Sequence, residues 1–155
     1  MDSEKHLRLT GGLIMNLQAV ETLVRFFLVL REGQPIDFPK PGDSQAVETF
    51  ATNFASLGSL IDSYNDGLSN DERQRFSIDR QIVHIRDAFA HGRLVTVEEF
   101  PVTLWKFGRP KDGQVPIEFS QVLTERWLLE ANALLVKQRD NIITCAKERG
   151  YKGLS

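Results

Sequence analysis

Leu13, Leu17, Val20, Val24 and Phe27 recur at alternating intervals of four and three residues, the spacing of one face of an α-helix. Leu23, Phe26 and Leu30 form a second stripe beside the first. A helix that is apolar on two sides needs two partners, here its own core and another subunit. It should stop near Gly33, because Pro35, Pro39 and Pro41 follow.

Three more helical patterns come after it. Val47, Phe50, Phe54, Leu57 and Ile61 repeat the same spacing, with Asp43 or Ser44 placed to cap them and "NDGLSND" to end them. A third helix is expected from near Ser77, with Ile78, Ile82, Ile85 and Phe89 inward and Gly92 as its stop. The period then changes. "RLVTVEEF", "VTLWKFG" and "VPIEF" are rich in β-branched and aromatic residues around the turn "GRPKDGQ". Ser120 is then placed to cap a last helix that buries Leu128, Ala131, Leu135, Ile142 and Cys145 and closes at Gly150. The expected fold is mainly α: one domain over residues 1–155, a four-helix up-and-down bundle with a small β-hairpin insert at about 93–119 before the last helix.

Composition narrows the function. A chain of 155 residues with 41% hydrophobic and 26% charged residues can bury its own core. Net charge is −2, yet residues 80–155 carry 12 Lys/Arg against 9 Asp/Glu, so an anionic ligand would fit best there. Cys145 is the single cysteine, which excludes an internal disulfide and suits a reducing, cytoplasmic setting. One cysteine and three histidines also exclude a Cys-rich zinc site, and no metal or cofactor is expected. The N-terminus lacks the order of a signal peptide, and the longest apolar run, "FFLVL", is too short to span a bilayer, so no membrane partner is expected.

The chemistry concentrates in "HIRDAFAHGRL", His84–Leu94, at the end of the third helix. At about 100° per residue, His84, Asp87 and His91 point away from the apolar stripe. Asp87 and His91, four residues apart, can meet along one face. Arg86 and His91, five apart, do not aim at one point from a single rigid helix. They converge if the helix unwinds at Ala90–Gly92, or if a second copy supplies the matching face. Such a set could cleave RNA without a metal. His91 would move the proton of a ribose 2′-OH or of the leaving oxygen, Arg86 would stabilise charge on the phosphorus, and Asp87 would fix the imidazole. The nucleophile would belong to the substrate.

"RDAFAH", Arg86–His91, resembles the R-x4-H motif of the HEPN superfamily, with the polar Asp87 after the arginine and the motif ending the third expected helix. The resemblance implies a homodimer whose two motifs face one another across a cleft. It implies a metal-independent endoribonuclease, the toxin or effector of a toxin–antitoxin or antiviral defence system, with an antitoxin or other regulatory protein as partner. Arg86 and His91 would be catalytic and Asp87 supporting. Some HEPN toxins carry a tyrosine two residues past the histidine, where a nucleotidyltransferase partner modifies it. Here that residue is Arg93, which has no hydroxyl for such a partner to modify. Other HEPN proteins are inactive and bind nucleotides or partners, so a dimeric binding or scaffold protein is the alternative.

Each residue also has a plainer reading. His91 would serve at a helix end against the dipole, and Arg86 would pair at the edge of the bundle. Arg80, His84 and Arg93 are weaker RNA contacts, more simply solvated. Lys137, Arg139, Lys147, Arg149 and Lys152 could track an RNA backbone, but read better as a solvated face. Trp105, Phe107 and Trp127 could stack on bases, but read better as core.

Overall fold

In the computed structural model, which describes residues 2–37, 39–96 and 101–154, the chain is mainly helical with one small antiparallel sheet. Helices α1 (Ser3–Arg31), α2 (Leu57–Asp66), α3 (Asn70–Phe76) and α4 (Gln81–His91) precede strands β1 (Arg93–Val95), β2 (Thr103–Phe107) and β3 (Ile117–Val122), and α5 (Glu125–Glu148) closes the order. The chain divides into two compact units, Met1–Leu17 with Gln81–Leu135, and Gln18–Arg80 with Val136–Ser155.

The first unit holds the sheet. Leu13 and Leu17 of α1, Ile82, Ile85 and Ala88 of α4, Leu104 of β2, and Leu128, Ala131 and Leu135 of α5 are buried in it. Burial of the inner α4 face follows the expected spacing, except that Ala88 replaces Phe89 as its last fully covered residue. Asn132 ties α5 to α1, donating to the Leu9 carbonyl at 3.1 Å and accepting from Asn16 at 2.8 Å. The sheet order is β1-β2-β3, with Arg93 opposite Trp105 and Trp105 opposite Ser120. The register slips by one residue between Lys106 and Phe107. At the hairpin tip, Lys111 and Gln114 exchange backbone hydrogen bonds at 2.8 and 2.9 Å. Asp112 and Gly113 between them both have positive φ, as a tight two-residue hairpin turn requires. Of the first expected extended stretch, residues 97–100 lie outside the described residues.

Ser120 does not cap the last helix. It lies in β3, where its hydroxyl accepts from the Trp105 indole at 2.7 Å. Thr124 does the capping, accepting from the Trp127 backbone at 3.1 Å. The β-branched and aromatic character of 117–122 carries the strand further than the serine suggests.

The second unit buries Val20, Val24, Phe27, Leu28 and Val29 of α1 with Leu57, Leu60, Ile61 and Tyr64 of α2 and Ile142, Cys145 and Ala146 of α5. The Tyr64 ring meets Phe27 edge-on at 4.7 Å, and its hydroxyl donates to the Phe76 carbonyl at 3.3 Å. Arg149 grips Glu72 through two bonds of 2.7 Å and donates to the Gly67 carbonyl at 2.8 Å.

The expected second helix is much shorter than its apolar spacing. It starts at Leu57, with Ser56 as N-cap, rather than at Asp43 or Ser44. Val47 is 80% exposed, and Phe54 is fully exposed. The cause is local competition. The hydroxyls of Thr52 and Thr49 and the amide oxygen of Asn53 accept from the backbone at Thr49, Ala51 and Ala55, and Arg25 takes the carbonyls of Phe50, Asn53 and Ala55. Backbone groups held this way are lost to a helical ladder. A short helix, α3, also stands ahead of Ser77, where only a turn-rich stretch was expected. Ser69 and Glu72 form a capping box that starts α3, while Ile78 sits buried outside any helix with both its backbone groups bonded to Asn65. Helix α4 then begins at Gln81 rather than near Ser77.

The five-residue "FFLVL" run understates α1. Over 18 residues its mean hydropathy is 1.6, long and apolar enough by length and composition to cross a membrane. Core helices of soluble proteins share that property, and the stripe from Leu13 to Phe27 is buried here within protein.

Candidate functional site

Helix α4 carries His91 on its outer side and Arg86 on its flank. Its inner side is held by Ile82, Ile85 and Ala88, which leaves His84 and His91 exposed and Arg86 and Asp87 half-buried. The helix continues to His91, and the Gly92 backbone still donates to the Ala88 carbonyl at 2.7 Å. There is no unwinding at Ala90 that would swing His91 toward Arg86.

Gly92 ends the helix for a reason of space. Its φ is not positive. A Cβ there would stand 2.2 Å from the Ala88 carbonyl oxygen and 2.7 Å from that of Trp105. The absent side chain lets the chain leave α4 directly beneath β2 and enter β1.

Arg86 and Asp87 form an ion pair, Nη1 to Oδ1 at 2.8 Å. No hydrogen bond joins Asp87 to His91 among the described residues, so the carboxylate orients the guanidinium rather than the imidazole. His84 and Asp87 line a shallow depression with Lys106 and Glu118, which pair with each other at 3.0 Å. His91 belongs to a different cleft of about 400 Å³, lined also by Arg93, Phe107, Gly108, Pro110 and Val115. Arg86 lines neither. Two of the expected residues, His91 and Arg93, are thus brought together, and Arg86 with Asp87 form a second pair around the helix.

Arg80 is in the second unit, paired with Asp62. Arg149 is committed to Glu72, and Arg139 reaches Asp140 at 3.4 Å, so those members of the basic tail are engaged within the protein. Among the described residues no group of three or more His, Cys, Asp and Glu side chains is placed to hold a metal.

Phe107 and Trp105 depart from expectation. Neither is buried. Their rings meet edge-on at 6.2 Å, and the Arg93 guanidinium lies 5.4 Å from the Phe107 ring centre. Alternation along β2 puts both rings on one face of the sheet, and cross-strand pairing adds Arg93 to that face. The alternation was visible in "TLWKF", but the pairing that adds Arg93 was not.

Comparison with protein-family models, with curated proteins and with solved structures gave no match to this chain.

Proposed function

We propose that this chain is a HEPN-type endoribonuclease that cleaves RNA without a metal. The observation that carries the reading is the Arg86–Asp87 ion pair set along α4 from the exposed His91. Arg86 is held by a carboxylate and keeps a permanent charge for a phosphoryl transition state. His91 stands at an accessible helix end, where an imidazole can take and return a proton. The ribose 2′-OH supplies the nucleophile, and the products end in 2′,3′-cyclic phosphate. The helix order α1, α2, α4, α5 with an extended insert before the last helix fits the four-helix up-and-down bundle of that superfamily, α3 being a short addition.

Because Arg86 shares neither of the two clefts described beside α4 with His91, the reading requires a homodimer that brings Arg86 of one copy to His91 of the other. A cytoplasmic toxin or defence effector, restrained by an antitoxin or regulatory protein, is the biological role that goes with it.

The separation of Arg86 from His91 also favours a second reading, a non-catalytic dimeric binding or scaffold protein. One experiment decides between them. Purified protein is incubated with end-labelled RNA in EDTA, beside the His91→Ala variant. Cleavage by the wild type alone supports the nuclease; no cleavage by either supports the binding protein.

A further inference from the structure

We propose that the cleft between the end of α4 and the β2–β3 hairpin seats one unpaired nucleotide of the RNA, its base against Phe107 and its phosphate against Arg93. This rests on RNA being the ligand of the neighbouring motif, and it assigns to the β insert the task of gripping the strand beside the reacting phosphate.

The seat is built by the sheet register. Arg93 of β1 lies opposite Trp105 of β2, and Phe107 follows two residues on, so a cation and two rings share one face. Trp105 is fixed from the other side, its indole nitrogen donating to Ser120 of β3 at 2.7 Å. The Phe107 ring is thereby braced edge-on by Trp105 and overhung by a guanidinium 5.4 Å from its centre. A ring so placed can take a base by stacking, and the same guanidinium can turn its fork to a phosphate oxygen. Pro110 and Val115 form the far wall, Val115 being 47% exposed, and give the base an apolar edge to lie against.

Gly108, in the lining, lets the two arms of the hairpin close on each other beside the cleft. A Cβ there would stand 2.6 Å from a Glu118 carboxylate oxygen and 2.9 Å from the Pro116 ring. Glu118 is itself paired with Lys106. Arg109 and Lys111 flank the hairpin tip against Asp112. At about 400 Å³ the cleft is in the lower range of small-molecule sites and admits one nucleotide, not a duplex. His91 at its rim places the proton-transfer group beside the bound nucleotide.

The test reads binding rather than cleavage. A fluorescein-labelled, single-stranded 2′-O-methyl RNA, which lacks the reacting hydroxyl, is titrated with the full chain and followed by anisotropy. Phe107→Ala should weaken binding roughly five- to hundredfold, the scale of one base stacked on an aromatic ring. Phe107→Tyr should restore it. Val115→Glu, a surface change that puts an anion in the cleft wall, should weaken it as well with an unchanged melting curve. The same sequence as a duplex should bind more weakly than the single strand. Wild-type affinity in both Phe107→Ala and Val115→Glu, or equal affinity for duplex and single strand, overturns the nucleotide seat. If these binding losses appear while the wild type cleaves no RNA, the seat stands and the nuclease reading falls. If cleavage proceeds while both variants bind as wild type, the reverse holds.

Discussion

A methyl group on Gly92 would stand 2.7 Å from the carbonyl oxygen of Trp105, closer than a carbon and an oxygen tolerate. The Ala88 carbonyl is nearer still, at 2.2 Å, and both neighbours are backbone. Neither can yield without moving α4 or β2. Gly92→Ala should therefore cost about 1–3 kcal/mol, the usual range for overpacking. At about 2–4 °C per kcal/mol for a chain this long, a thermal melt resolves it. Gly11 is the control. It lies in α1 with nothing within 4 Å of a built Cβ, so Gly11→Ala should raise the melting temperature through helix propensity. Equal responses of the two variants would show that the α4–β2 approach is not tight.

Acid should loosen the second unit through Glu72. The guanidinium of Arg149 is the main reason that its carboxyl is held down at about 2 rather than 4.5, with the Ser69 backbone N–H and hydroxyl adding to the effect. A carboxylate with a depressed folded value stabilises fully above its unfolded value and loses that contribution as pH falls through the folded one. The loss therefore runs from about pH 4.5 down to about pH 2. Glu72→Gln should melt below wild type at neutral pH, and the gap should close across that window. A gap that stays constant down to pH 2 would mean that packing around the side chain, rather than its charge, is what the substitution removes.

How legible these elements were depended on what competed with the apolar spacing. The α1 stripe from Leu13 to Phe27 is buried as its period requires, and the polar Asn16 between its members bonds to Asn132 rather than to nearby backbone. Val47 and Phe54 obey the same period yet face solvent, because Thr49, Thr52 and Asn53 between them bond to nearby backbone. Those three residues were the available warning: such side chains disfavour a helix interior. The outward placement of His84 and His91 follows from helix geometry alone. The Arg93–Phe107 cleft does not, since it depends on the register of β1 against β2. Asp87 could have turned to Arg86 or to His91 by sequence spacing, and the structure pairs it with Arg86.

That pairing ranks the variants of the motif. If His91 moves the proton, His91→Ala should lower cleavage by about two to four orders of magnitude. Arg86→Lys should remain well below wild type, because an ammonium lacks the planar fork that meets both Asp87 and a phosphate. Asp87→Asn should be the mildest, since an amide oxygen still accepts from Arg86. Rates on a labelled RNA in EDTA give the order directly. Asp87→Asn as damaging as His91→Ala would mean that the carboxylate works on the imidazole during the reaction.

The last prediction follows from the distance around α4 between Arg86 and His91. A helix that stays regular to His91 turns the two side chains apart, and Arg86 does not line the cleft that His91 lines. Catalysis by both then requires that each reacting phosphate be met by Arg86 from one copy and His91 from the other. Two consequences are measurable. Size exclusion with light scattering should give twice the mass of one chain at micromolar concentration. Arg86→Ala and His91→Ala proteins, each inactive alone, should recover activity when unfolded and refolded together. A mixed dimer has one site with both native residues and one with neither. Random pairing makes half the dimers mixed, so roughly a quarter of wild-type activity should return. Refolding each variant alone is the control and should return none. If the mixture stays inactive while wild type refolded in the same way regains its rate, each site draws Arg86 and His91 from a single chain. The helix would then have to open at Ala90–Gly92 during the reaction, and the composite site would be wrong.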